Sequence, residues 1–96
     1  MPKIFAVGET ILDIIFRDDQ PQTAKPGGSS FNAAITLGRL GAPITFISEM
    51  GKDRVGDLIQ RFMEKNGVNA RYVSRYEEGQ SAVSLAFLNE KSDAEY

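Results

Sequence analysis

Two features combine residue types and spacing that could do chemistry. One is a paired-glycine segment, Gly27-Gly28-Ser29-Ser30-Phe31-Asn32; the other is Asp13, set inside the apolar run Ile11-Leu12-Asp13-Ile14-Ile15-Phe16. Adjacent glycines let the backbone approach a ligand closely, and the first amides of a helix are unpaired and carry a partial positive charge. Such a site suits a hydroxyl-rich or anionic ligand. Asn32 falls in the first helical turn, where its amide both donates and accepts, as recognition of a polyol requires. The same residues also read as an ordinary glycine turn before a helix, and local sequence leaves both readings open. A carboxylate buried at Asp13 is costly unless something pairs with it, and the plainer reading is a turn cap at a strand end. Glu9 could face a ligand beside Asp13, although a strand-end position accounts for it better.

Other chemistries are excluded. The chain has no histidine and no cysteine. A disulfide framework, a thiolate zinc site, a cysteine nucleophile and a Ser–His–Asp triad are therefore impossible within it. Catalysis here would have to use carboxylates, lysines, hydroxyls or backbone amides. No Gly-x-x-x-x-Gly-Lys-Ser/Thr phosphate loop is present. A dinucleotide fingerprint would need Gly-x-Gly-x-x-Gly directly after the first strand, where this chain has Gly8-Glu9-Thr10-Ile11-Leu12-Asp13. Gly51-Lys52-Asp53-Arg54-Val55-Gly56 could help close a pocket, but Asp53 reads as a helix N-cap and Gly51 as a turn residue, so a structural role is preferred. The charge-rich residues 71–78, with Tyr72 and Tyr76, show no specific site.

The elements that must position these residues follow from periodicity. Residues 3–7 form a short apolar run closed by Gly8, as a buried strand would, and residues 11–16 form a second extended piece. Residues 17–26, with Pro21 and Pro26, read as a hairpin-like excursion outside the core. Ser29 or Ser30 is expected to cap a helix that runs to about Leu40 and stops at Gly41, with Pro43 beyond. Phe31, Ala34, Ile35 and Leu37 would form its buried face, with Ala33 and Gly38 permitting close approach to a sheet. A strand over 44–48 follows. Asp53 then caps the clearest helix, in which Val55, Leu58, Ile59, Phe62 and Met63 share one face and Gly67 ends the run. Residues 71–74 read as a third strand and residues 81–88 alternate as a longer one. Strands separated by helices imply a parallel sheet with right-handed crossovers. Residues 11–25 and 81–96 fall outside this rhythm and can pair with each other as a small separate sheet.

At 96 residues the chain is one small domain or part of a larger one, and its 42% hydrophobic and 25% charged shares are ordinary for a soluble globular protein. A net charge of −2 without a basic patch argues against nucleic acid. Apolar stretches are too short to cross a bilayer and the start lacks a signal-peptide layout, so no membrane partner and a cytoplasmic location are expected.

Taken together, Gly27-Gly28-Ser29-Ser30-Phe31-Asn32-Ala33-Ala34, Leu37-Gly38-Arg39-Leu40-Gly41 and Gly51-Lys52-Asp53-Arg54-Val55-Gly56 resemble the amino-terminal signature of ribokinase-like (PfkB-type) carbohydrate kinases. Val7-Gly8-Glu9 with Asp13 looks like the first-strand motif of the fructokinase branch, and Lys65-Asn66-Gly67-Val68 fits the usual helix end. The resemblance covers residues 4–87. It implies an α/β fold, a Rossmann-like three-layer α/β/α parallel sheet with a small β-sheet lid. Residues 1–96 would be the N-terminal portion of one such domain, incomplete here, with 11–25 and 81–96 as lid strands. It further implies that Asp13 hydrogen-bonds sugar hydroxyls from the lid base, that Gly27 and Gly28 form the hinge and sugar-contacting turn, and that Asn32 binds another hydroxyl. The implied activity is ATP-dependent phosphorylation of a sugar hydroxyl, fructose first, with ribose, a nucleoside or a keto-deoxy sugar acid as alternatives. ATP and Mg2+ are implied as well, but the family places the nucleotide site and the catalytic aspartate, in a Gly-Ala-Gly-Asp-type motif, in a later part of the chain. No such motif occurs here, so the 96 residues alone are expected to be inactive; a non-catalytic sugar-binding module is the competing reading. An unpaired strand edge in residues 81–96 invites a homodimer through the lid strands.

Overall fold

The computed structural model describes residues 3–88 and 94–95. In chain order the elements are β1 (Ile4–Val7), β2 (Ile11–Arg17), β3 (Gln20–Gly27), α1 (Ser29–Arg39), β4 (Ile44–Gly51), α2 (Arg54–Lys65), β5 (Asn69–Tyr76), β6 (Val83–Leu88) and β7 (Ala94–Glu95). They form two sheets. β1, β4 and β5 make a parallel sheet in the order β1-β4-β5, and β3, β2, β6 and β7 make a second sheet in that order. The α/β expectation holds, and so does the pairing of the two off-rhythm segments: β2 runs parallel to β6 with Asp13 beside Ser84. Of the segment expected at 81–96, residues 89–93 and 96 lie outside the described residues.

Both helices pack on one face of the parallel sheet. Phe31, Ala34 and Ile35 of α1 share a cluster with Ile59 and Met63 of α2 and with Ile44, Phe46 and Met50, alternate residues of β4. Period 2 in the strand and period 3.6 in the helices bring these faces together. The Phe31 ring sits edge-on to Phe46 and stacks on Phe62. The opposite sheet face carries Phe5, Val7 and Tyr72, each more than half exposed. The described residues thus supply two of the three expected layers.

Several details depart from the sequence reading. The N-cap of α1 is Gly28, at φ 118, with no side-chain cap from Ser29 or Ser30, both of which lie inside the helix. Ala33 is exposed, and Gly38 packs against the exit of α2 at Asn66, Gly67 and Val68 instead of a sheet. Leu58 lies at the rim of its stripe, 37% exposed. Residues 20–27 are a true strand, joined to β2 by a two-residue turn at Asp18-Asp19, both at positive φ. Aspartate tolerates that conformation, and a turn of this hand matches the strand twist. Pro21 and Pro26 fit because β3 is an edge strand, where a missing N–H costs no ladder bond.

Candidate functional site

Parallel sheets place ligands beyond the carboxyl ends of their strands. There, Val7, Gly8, Glu9, Thr10, Ile47, Ser48, Glu49 and Met50 join Ser74, Tyr76 and Ala82 around a cleft of about 610 Å3. A smaller cavity of about 280 Å3 opens beside it between Glu9, Thr10, Ile11, Gly28, Ser29, Ser30 and Ala82. Glu9, Thr10 and Ala82 line both. The Ser48 hydroxyl is buried at the cleft wall without a hydrogen-bond partner among the described residues.

Three chain crossings build this region. The turn after β1 packs so tightly on α1 that a Cβ on Gly8 would lie 2.6 Å from Ser30 Cβ. β3 enters α1 through Gly28, whose φ of 118 suits glycine and whose missing Cβ leaves room for the Glu9 carbonyl. Gly28, Ser29 and Ser30, where α1 opens, line the smaller cavity, with no acidic residue in the first turn. Asp13 is half-buried in β2, and its Oδ2 lies 2.7 Å from the place a Gly27 Cβ would occupy. The structure thus puts the Asp13 carboxylate against the paired-glycine bend. It does not bring Asn32 into either cavity: that residue is exposed, with its backbone N–H bonded to the Gly28 carbonyl. Asp13 and Gly27 flank the cavities without lining them.

The third crossing, residues 77–82, joins β5 to β6 and is held by Asp53. Asp53 Oδ1 accepts from the Gly56 N–H (2.7 Å) and the Ser81 hydroxyl (2.7 Å), and Oδ2 accepts from the Ser81 N–H (2.8 Å). Asp53 is the N-cap of α2 as expected. Donation from the Ser81 N–H, then from the Gly56 N–H and Ser81 hydroxyl, with the nearby Arg75 charge, holds its carboxyl below the ordinary aspartate range against the opposing effect of burial. Arg75 donates to the Gly51 carbonyl, Gln60 and Asp57. Sequence reasoning singled out neither Ser81 nor Arg75. Their partners lie 28 and 30 residues away for Ser81 and up to 24 for Arg75, so no local signal marks them.

The sequence pattern of the pfkB family of carbohydrate kinases matches residues 1–95. The chain belongs to that family. This pfkB-family chain is 29% identical over 94 residues to a fructokinase from Escherichia coli, covering 98% of this chain and 31% of that protein. It is 33% identical over 99 residues to fructokinase-2 from Solanum lycopersicum, covering 96% and 30%. Among solved structures it resembles aminoimidazole riboside kinase from Salmonella enterica, complexed with aminoimidazole riboside and an ATP analog, with a TM-score of 0.81 and 26% identity over 88% of this chain and 28% of that one. The chain spans about three tenths of the length of the curated relatives it matches. The parallel sheet, its helices and the second sheet are accordingly a portion of the ribokinase-like fold.

Proposed function

We propose that the protein is an ATP-dependent carbohydrate kinase that phosphorylates a hydroxyl of fructose or a close relative. In this reading Asp13, Gly27 and Gly28 hold the sugar, Asn32 offers a further hydrogen bond from the exposed first turn of α1 outside both cavities, and the second sheet is the lid. The observation that carries the site is the approach of Asp13 Oδ2 to Gly27, which sets a two-oxygen acceptor beside the glycine bend that leads into the uncapped start of α1. Acceptors and donors side by side match a polyol, whose hydroxyls do both. A closing lid would keep water from the reacting hydroxyl, limiting wasteful hydrolysis.

ATP would supply the phosphoryl group. The residues described here do not fit it: the cleft is lined by Glu9 and Glu49 with no lysine or arginine. Nor do three or more carboxylates gather into a cation site among the described residues. A triphosphate needs positive charge and a metal, so this wall serves the neutral substrate.

The test is ATP-dependent phosphorylation by the full-length protein, with fructose, ribose, a nucleoside and a keto-deoxy sugar acid offered in parallel. Fructose should be turned over most efficiently. Asp13→Ala should lower sugar kcat/KM by about a hundredfold, the worth of one or two hydrogen bonds to a charged group, with the KM for ATP little changed. Wild-type kinetics in that variant would sink the site assignment. The likeness to aminoimidazole riboside kinase favours a second reading, a riboside substrate, which predicts that the nucleoside outpaces fructose. Calorimetric binding of fructose with no phosphorylation of any sugar would instead support a non-catalytic module. A homodimer is proposed through the second sheet, where Val83, Leu85 and Phe87 are exposed and Phe87 stacks on Phe16. Light scattering showing a monomer would remove it.

A further inference from the structure

We propose that Asp53 and Ser81 are positioning residues that set the second sheet, and with it Asp13, at its working height over the cleft. The functional consequence rests on the sugar-site reading above, whereas the mechanical one stands on the geometry.

A helix cap needs one acceptor oxygen and one first-turn N–H. Asp53 Oδ1 meets that need at Gly56, yet both carboxylate oxygens also bind Ser81, 28 residues away. Ser81 is buried, and its hydroxyl in turn accepts from the Gly51 N–H at 3.0 Å. The glycines at either end of Gly51-Lys52-Asp53-Arg54-Val55-Gly56 leave the space this clamp occupies. A Cβ on Gly51 would stand 2.8 Å from Asp53 Oδ2 and 3.0 Å from the Ser81 nitrogen. One on Gly56 would run into the Gly51 carbonyl and crowd Arg75 and the Ser81 hydroxyl.

From the clamp the path to the site is short. Ala82 follows Ser81 in the chain and lines both cavities. Its carbonyl accepts from the Leu12 N–H at 2.9 Å, and Leu12 precedes Asp13. β6 then continues in parallel with β2, setting Asp13 opposite Ser84. Release of Ser81 would therefore loosen the strand that registers Asp13, without touching the residues proposed to meet the sugar.

Hydrogen exchange on full-length Asp53→Asn and Ser81→Ala proteins decides the matter. Asparagine keeps an oxygen for the Gly56 N–H but replaces the second with an NH2 that cannot accept from Ser81. Ser81→Ala leaves the helix cap whole, so it carries the test if Asp53→Asn fails to fold. In each, amides of β6 and the Leu12 amide should exchange about tenfold faster, the effect of losing a charge-assisted hydrogen bond, while α1 and β4 as far as Met50 stay protected. The double variant should exchange faster than either single one, since Asp53→Asn loses the bond from the Ser81 N–H, Ser81→Ala loses those of the hydroxyl, and each alone leaves the other half of the clamp. Uniform loss of protection through α1 and β4, unchanged exchange in β6, or a double variant no faster than the singles would overturn the proposal. In kinetic assays both variants should raise the sugar KM about tenfold while kcat and the KM for ATP hold. If the wild-type protein phosphorylates no sugar, the kinase reading falls, and the exchange result still decides the clamp.

Discussion

Gly28→Ala tests the bend on which the site is built, and Gly41→Ala is its control. At Gly28 the backbone sits at φ 118 and ψ 142, and a Cβ would lie 2.6 Å from the Glu9 carbonyl oxygen. That conformation costs a non-glycine residue about 1–3 kcal/mol. Relieving the contact must shift either the turn after β1 or the start of α1, an overpacking cost of about 1–3 kcal/mol more. Gly41 also has positive φ, at 85, but a Cβ there meets nothing within 4 Å. Its substitution should cost only the left-handed penalty, about 1–2 kcal/mol. Urea unfolding of the two variants beside wild type should therefore show Gly28→Ala destabilised by about 2–6 kcal/mol and by more than Gly41→Ala, with unchanged m. Equal losses in the two would mean that the Glu9 carbonyl does not constrain the bend. A change at Gly28 below about 0.5 kcal/mol, the scale of an ordinary surface substitution, would refute the account of both glycines.

Two further outcomes follow from the packing and the clamp. Because the Asp53 pKa is depressed in the folded protein, its contribution is fully present above the ordinary aspartate value of 3.8 and is lost as pH falls below it through the folded value. Acid titration of stability should show this loss in wild type and a shallower slope in Asp53→Asn; equal slopes would remove the carboxylate from the clamp. Ile59→Ala deletes a fully buried side chain between α2 and the sheet and should cost about 2–5 kcal/mol in chemical unfolding, against under about 1 kcal/mol for Lys52→Ala, whose ion pair with Glu77 is solvent-exposed.

Much of the fold was legible locally because each signal depends on neighbours in sequence. The stripe of Val55, Ile59, Phe62 and Met63 marks α2 through helical period, and Asp53 marks its start through a hydroxyl-free acceptor beside first-turn amides. The strand–helix–strand order implied the parallel sheet. Residues 20–27 were harder to read, since two prolines disfavour a strand unless it lies at an edge, and edge position is a property of the whole sheet. At the start of α1 the serines have cap chemistry, but the chain enters the helix through the positive-φ backbone of Gly28, where a Cβ would meet the Glu9 carbonyl, a contact no local pattern shows.

For the site, the residue types and their motif order carried the family and the nomination of Asp13, Gly27, Gly28 and Asn32. Sequence alone determined which chemistries are available: carboxylate, hydroxyl and amide, with no thiol or imidazole. Only the tertiary structure decided which of them meet. It placed Asp13 against Gly27, left Asn32 exposed, and drew Ser81 and Arg75 into a clamp on the Asp53 segment. The physical reason is that β2 and β6, far apart in the chain, are registered by hydrogen bonds across a parallel pair whose crossover contains the whole helical layer. No local periodicity encodes that height.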